Sequence, residues 1–497
     1  MPRRPQAAEL PSISGLDRAS KHLGRQLTQS LREAIRAGNL KSGDLLPSSR
    51  QLAQALEIAR GTVLEAYEQL IAEGFLEAHP RAGTRVAAVL GKQQAAGHVP
   101  QLPMADSTPS SLPAPAVAFA KVAEQFKPLP PVPFAVSVPT GPAAPDETWR
   151  RLGNRVRARG PGAPSAYDDP QGVRALREAV ADYVRRSRSV QCSAEQIIIT
   201  SGTQQGLYIA CQVLLGATDM AWVEEPAYWG ITKILESTGR QDRMVRVPVD
   251  DAGIDVAAGV AMAKHARAAF VTPSHQYPLG MPMSMGRRNA LLDWARKHES
   301  WIVEDDYDSE LRYAGHPFPS LQGLAPDRVV YLGTFSKILF ASLRLGYAIV
   351  PDALVPAFCG ARLLMDRHSP SADQHVLAAF ITEGHLDRHI RRIRGVYSDR
   401  RTQLIGMLDR WIPKDLGWLQ PSDQGMHLVL WLAPGMDDVL LASLAMEAGV
   451  AVRAVSAMYS EGRGRSGLVL GLGGFSDDQM EAAVRSLAAI MSAAQGS

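Results

Sequence analysis

Two apolar periods run along this chain. In the first ninety residues the period is helical: Leu23, Leu27, Leu31 and Ile35 recur every four positions and predict an amphipathic helix. Next comes "KSGDLLPSSRQLAQAL", in which Ser48 and Gln51 fit a capping box that opens a second helix with Leu52, Ala55 and Leu56 facing inward. After a turn of three or four residues, "RGTVLEAYEQLIAEG" sets Val63, Ala66, Tyr67 and Leu70 on one face of a third helix. "FLEAHPRAGTRVAAV" then reads as two short strands about a Pro/Gly turn.

Beyond residue 145 the pattern changes to short apolar runs, each ending in a polar cluster. "IIIT" leads into "SGTQQG", "MAWV" into "EEPAYWG", "AAFV" into "TPSHQYPLG", "WIV" into "EDDYDSE" and "VVYL" into "GTFSK". Helical patterns such as "GVRALREAVADYVRR" and "GRRNALLDWARKHE" lie between or beside them. Strands alternating with helices predict an α/β fold with a mainly parallel sheet, and ligands of such sheets bind beyond the carboxyl ends of the strands. All five polar clusters fall there, so they can converge on one site. Residues 100–145 separate the two patterns with twelve of the chain's 34 prolines, an extended linker with one short helical pattern at Ala116–Phe126. The expected units are a head over 16–88, a linker over 89–134 and a body over 135–497.

Composition adds little. With 46% hydrophobic and 21% charged residues the balance is that of an ordinary globular protein, and a net charge of +3 argues neither for nor against nucleic acid. Cys192, Cys211 and Cys359 lie far apart with no zinc spacing, so reduced thiols in a cytoplasmic protein and no structural metal are expected. The start "MPRRPQAAELPSIS" lacks the apolar stretch of a signal peptide, and no run of about 18 apolar residues predicts a membrane span.

In the head, placement matters more than charge, since residues 1–90 hold 12 basic and 9 acidic side chains. Ser48 and Arg50 stand at the start of the second helix. Arg60, Gly61 and Thr62 open the third, and Arg81 and Arg85 flank the wing turn at Gly83. A helix, a tight turn, a second helix and a β-wing is the geometry that seats one helix in the major groove, and these are the ends that meet phosphates and base edges. "LKSGDLLPSSRQLAQALEIARGTVLEAYEQLIAEGFL" resembles the winged helix-turn-helix of the GntR family of bacterial regulators. That family usually has Ser, as a helix cap, where Ala59 stands here. A winged helix used only for protein contacts is the alternative.

In the body, the apolar stretch "YLGTFSKILFASLRLGYAIV" holds one lysine, Lys337, seven residues before Arg344. A buried ammonium is expensive, so this is either a surface strand or a lysine that is to act as a neutral, nucleophilic amine. The neighbouring clusters favour the amine. Asp305 ends "WIVED" and could pair with a protonated pyridine nitrogen; Tyr307, two residues on, points to the same side and could donate to a phenolate oxygen. Ser201, Gly202, Thr203 and Gln204 open a helix and suit a phosphate, to which Thr334, Ser336 and Arg344 would add hydroxyls and charge. Tyr228 offers a face for stacking. Together these describe pyridoxal 5′-phosphate (PLP). Taken singly, "EDDYDSE" reads as a solvated loop before a magnesium site, and "SGTQQG" as a plain helix start.

The order of these clusters resembles the fold type I aminotransferases over nearly all of residues 135–497, with a mainly parallel sheet and a smaller C-terminal α+β subdomain. The resemblance implies Lys337 as the Schiff-base lysine, Asp305 at the pyridine nitrogen and Tyr307 at the ring oxygen. Tyr228 would stack on the ring, with Thr203, Gln204, Ser336 and Arg344 near the phosphate. It also implies that Tyr167, in "AYDDPQG", reaches the phosphate of the other subunit. The chain departs from the pattern at "SHQYPLG", where His275 or Gln276 replaces an asparagine, and at Ala341, often proline. In "SGLVLGLGG", Gly467 stands where aminotransferases keep the arginine that grips a substrate carboxylate.

A GntR-type head on an aminotransferase-like body is the pattern of the MocR/GabR-like regulators. That resemblance implies a head-to-tail homodimer that binds operator DNA and senses a small amine, an amino acid or a vitamin B6 vitamer, with at most vestigial aminotransferase activity. Two competing functions are a metabolic aminotransferase with an incidental head, and an interaction protein with an empty cofactor fold. The intact head and the missing arginine count against the first, and the complete Lys/Asp/Tyr set against the second.

Overall fold

The computed structural model describes residues 22–79, 83–87, 112–126, 129–136, 144–159, 167–316, 318–460 and 464–495. The chain divides into two compact units, the first through Ser111 and the second from Leu112. The stretch expected as linker therefore divides too. Residues 88–111 lie outside the described residues, whereas the helix Ala114–Gln125 packs on the body helix Trp229–Ser237, with Phe126 5.7 Å from Trp229, and Phe134 is buried in the body's core.

The head has three helices, α1 (Leu23–Arg36), α2 (Ser49–Leu56) and α3 (Arg60–Ala72), and a hairpin of β1 (Leu76–His79) and β2 (Gly83–Val86). Its core is the apolar stripe read from the sequence: Leu27, Leu31 and Ile35 meet Leu52, Val63, Ala66, Tyr67 and Leu70, closed by Leu76 and Val86 of the hairpin. The capping box forms, with the Ser48 hydroxyl accepting from the Gln51 amide and the Gln51 carboxamide accepting from the Ser48 amide. One inward position differs. Ala53 is buried and Ala55 is exposed, because a helix of only eight residues packs through the 52, 53 and 56 edge.

The body is an eight-stranded sheet in the order β3 (Ile197–Thr200), β10 (Gly346–Ile349), β9 (Val329–Thr334), β8 (Trp301–Asp306), β7 (Ala268–Val271), β4 (Ala221–Glu225), β5 (Met244–Asp250), β6 (Gly253–Ile254). From β9 through β5 every pairing is parallel, while β10 runs antiparallel to both its neighbours and β6 turns back at the edge. The central strands are apolar on both faces because helices cover both. Helix Arg174–Arg188 joins the core on one side and helix Thr203–Leu214 that on the other. A second, antiparallel sheet of four strands follows: β11 (Gly417–Leu419), β12 (His427–Leu432), β14 (Gly467–Gly471) and β13 (Arg453–Ala454). No helix among the described residues is long and apolar enough to cross a membrane.

Candidate functional site

The body's polar clusters converge at the carboxyl ends of the strands. β9 ends at Thr334 and runs on through Ser336 to Lys337. Lys337 is mostly buried, and that burial pushes its amine below the ordinary lysine range. The charges of Arg453 and Arg344 push the same way, against Asp308 and Asp305. The lysine is thus disposed toward the neutral, nucleophilic form.

β8 and the turn after it carry four carboxylates in five residues, Glu304, Asp305, Asp306 and Asp308, and the alternation of the strand sends successive ones apart. Asp306 turns to the helix side, where Arg188 Nε donates at 2.8 Å and the Tyr331 hydroxyl at 2.5 Å. Asp305 turns toward Lys337. Burial raises it to about 7, with Asp306 adding to the rise and Lys337 opposing it, and its Oδ1 is buried without a hydrogen-bond partner among the described residues. The Tyr307 hydroxyl lies 3.0 Å from His275 Nδ1, which is also 2.9 Å from Asp308 Oδ2. This separates the two candidates left open in the sequence. His275 faces Tyr307, whereas Gln276 holds backbone, donating to the carbonyls of Pro226 and Tyr277 at 2.9 Å.

The helix Thr203–Leu214 opens at Gly202, whose φ of +93° suits a residue without Cβ, and no side chain caps the amides of its first turn. Arg344 lies against this opening. Its Nη2 donates to the Ser201 carbonyl at 2.6 Å, and a Cβ on Gly202 would stand 3.1 Å from that nitrogen. The Ser336 hydroxyl is buried without a partner, and its amide donates to Thr334 Oγ1 at 3.2 Å. Tyr228 is half-buried, its hydroxyl donating to Gln204 Oε1 at 3.2 Å and its ring edge-on to Tyr277. The groups here thus fit both ends of a phosphorylated pyridine: the orphaned Asp305 Oδ1 for a ring nitrogen, and the uncapped amides and the Ser336 hydroxyl, with the Arg344 charge beside them, for a phosphate.

Three positions behave differently from the rest. Tyr167 is 76% exposed, with Arg367 4.5 Å over its ring and His368 edge-on to it. Gly467 leaves no gap, since a Cβ there would meet the Trp431 ring at 2.8 Å, and Trp431 Nε1 donates to Gln420 Oε1. Arg465 stacks over Trp431 at 4.3 Å, and Arg463 lies outside the described residues. The partners of Asp306 and Asp308 were not legible in the sequence, because Arg188 and His275 stand 118 and 33 residues away.

In the head, Ser48, Arg50, Arg60 and Gly61 are exposed at the starts of α2 and α3, with Thr62 half-buried. Arg60 Nε donates to Ser49 Oγ at 3.4 Å across the turn. Arg85 is tied down, donating to the Gly43 carbonyl at 2.8 Å; Gly83 opens β2, and Arg81 lies outside the described residues.

Comparison with known proteins agrees with both halves. Residues 23–86 match the bacterial regulatory proteins of the gntR family, and residues 162–487 match aminotransferase class I and II. The chain is 35% identical to a probable rhizopine catabolism regulatory protein, MocR, of Rhizobium meliloti over 95% of this chain and 94% of that one. It is 32% identical to PdxR, an HTH-type pyridoxine biosynthesis transcriptional regulator of Corynebacterium glutamicum, over 92% and 93%. Among solved structures, LysN, an α-aminoadipate aminotransferase of Thermus thermophilus, superposes with a TM-score of 0.70 at 25% identity, covering 78% of this chain and 98% of its own. With both units and nearly the whole length shared, the chain belongs to the MocR-type transcriptional regulators, in which a GntR-family helix-turn-helix is joined to an aminotransferase-like domain.

Proposed function

We propose that the body holds PLP through Lys337 and that its response to a small amine, an amino acid or a B6 vitamer controls binding of the head to operator DNA. The observation that carries this is the pairing of a depressed lysine amine with a carboxylate, Asp305, whose buried Oδ1 has no partner among the described residues. Bound PLP supplies an aldehyde that condenses reversibly with amines. Lys337 holds that carbon in the resting state, and Asp305 holds a proton on the ring nitrogen. Thr203, Gln204, Ser336 and Arg344 take the phosphate, Tyr228 lies against the ring, and Tyr307 donates toward its oxygen, backed by His275. We further propose a head-to-tail homodimer in which Tyr167 reaches the partner's site. Its exposure, and that of Leu363 and Leu364 (50% and 89%) on the helix Val355–Asp366, support a covering surface there.

Absorbance of the purified protein tests the reading. A bound-cofactor band that borohydride fixes in the wild type and not in Lys337→Ala is expected, together with a footprint that an effector alters. Equal trapping in the variant removes Lys337 from its role. The absence of any protected DNA site returns the head to protein contacts.

A further inference from the structure

Among the described residues, one cation beside this site, Arg453, meets no anion. The face of the four-stranded sheet that carries Trp431 and Val429 also carries Val469 and Arg453, since Arg453 stands directly across from Val469, and Val469 across from Val429. Leu279, two residues after Tyr277, packs on that face against Val429, Trp431, Val455 and Val469. Arg453 therefore stands beside an apolar wall that adjoins the Tyr277 loop, and its charge bears on Lys337, Tyr228 and Tyr277. Among the described residues its guanidinium makes no ion pair and no hydrogen bond, and its Nε is closed off from solvent.

Neighbouring arginines show what usually happens. Arg188 is paired with Asp306 and Arg246 with Glu225, while Arg344, the other arginine bearing on Lys337, donates to the Ser201 carbonyl. A half-buried guanidinium against apolar side chains is costly unless an anion meets it. At Gly467, the position the aminotransferase pattern reserves for that purpose, the Trp431 ring leaves no room for a side chain.

We propose that Arg453 grips an oxyanion, a carboxylate in the first instance, on the amine that the site senses. The effector is then an amino acid rather than a plain amine. A planar fork of N–H donors suits a carboxylate, and the wall of Leu279 and Val469 excludes the water that would weaken the contact. This inference rests on the PLP-sensor reading above.

The test uses full-length protein with bound cofactor and follows the cofactor's absorbance. β-Alanine and L-alanine are compared with ethylamine, the amine that remains when either loses its carboxylate, and propionate is the amine-free competitor. In the wild type the amino acids should act at concentrations at least about tenfold below ethylamine, and propionate should compete with them, since a charge-assisted pair is worth about that factor or more. Arg453→Gln should erase the preference by weakening only the amino acids, and Arg453→Lys should keep part of it. The proposal is overturned by a wild type without preference, by an Arg453→Gln protein that retains it, or by one that loses ethylamine equally. If Arg453→Gln fails to hold the cofactor, Arg453→Lys and propionate competition on the wild type decide. Failure of the underlying reading looks different, because the wild type would then show no bound-cofactor band.

Discussion

The Tyr307 hydroxyl stands 3.0 Å from Nδ1 of His275. That nitrogen can give a proton to Asp308 or take one from Tyr307, and Asp308 decides between them. Among the described residues its buried Oδ2 otherwise has only the Met426 amide at 3.3 Å, and its Oδ1 has no partner. With Nδ1–H spent on Asp308, the tyrosine keeps its proton for another acceptor. Removing the imidazole leaves a buried carboxylate unpaired, so His275→Ala should destabilise the body by about 3 kcal/mol or more. His275→Ala combined with Asp308→Asn should recover at least about 1 kcal/mol relative to His275→Ala alone. Denaturant midpoints of the four proteins in this cycle measure the coupling, and simple additivity would show that the two side chains do not act as a pair.

Asp305 makes the cofactor-free protein pH-dependent in a predictable direction. Its folded-state value, about 7, lies above the ordinary value of 3.8, so the folded state favours the protonated acid. The resulting stability is fully present below about pH 4 and is lost as pH rises through about 7. Asp305→Asn removes the titration. Stripped of cofactor, this variant should be the more stable of the two above pH 7, by up to about 4 kcal/mol, and the gap should close toward pH 4. Melting curves from pH 4 to 8 check the sign, and a gap that widened on acidification would refute the assignment. Bound cofactor should reverse the order, since Asp305 then has a protonated ring nitrogen to meet.

In the head, three arginines should behave in three ways. Arg60 opens the second helix of the helix-turn-helix, whose first residues meet base edges, so Arg60→Ala should cost about 1–3 kcal/mol and relax sequence preference. Arg50, exposed in the first turn of α2, should act on phosphate. Arg50→Ala should lower the slope of log affinity against log salt by roughly one with preference unchanged. Arg85 already donates to the Gly43 carbonyl, so Arg85→Ala should lower head stability and leave the salt slope alone. Binding isotherms on specific and scrambled duplexes at several salt concentrations separate the three.

Most of the fold could be read in advance because its signals are local. The Leu27, Leu31 and Ile35 stripe, the Ser48–Gln51 box and the five strand-end clusters each declare themselves within a dozen residues. Lys337, Asp305 and Tyr307 could be grouped for the same reason, since each lies at or just beyond the carboxyl end of a strand in the parallel run of the sheet. What escaped depends on distant partners. Nothing near Asp308 predicts His275, and nothing near Arg453 predicts a wall built from Leu279 and Val469. Ala53 rather than Ala55 turned inward because a two-turn helix packs by its edge, which periodicity over eight residues does not resolve. The glycine at 467 read as an absence, a missing arginine. Only the packing reveals Trp431 in its place.

That packing sets the last prediction. Gly467 is the first residue of β14, buried, with its amide donating to Asp438 Oδ2 at 3.0 Å. A Cβ would come within 2.8 Å of the Trp431 ring and 3.3 Å of the Leu430 carbonyl, and the ring cannot easily yield, held as it is by Gln420 on its edge and Arg465 over its face. Gly467→Ala should therefore destabilise the body by about 1–3 kcal/mol through overpacking alone. Gly467→Arg should do worse, since it buries a charge against the same ring. Placing an arginine at 467, where the resemblance to aminotransferases implies one, should accordingly not create an aminotransferase. An amino acid gripped through Arg453 is held from another point, so its Cα–H bond is not fixed over the ring, and amino transfer should stay slow. Single-turnover spectra with keto-acid detection, run beside melting curves, test both halves. A Gly467→Arg protein that folds as stably as the wild type and turns over an amino acid faster would show that the Trp431 ring does yield and that the missing arginine alone had limited the chemistry.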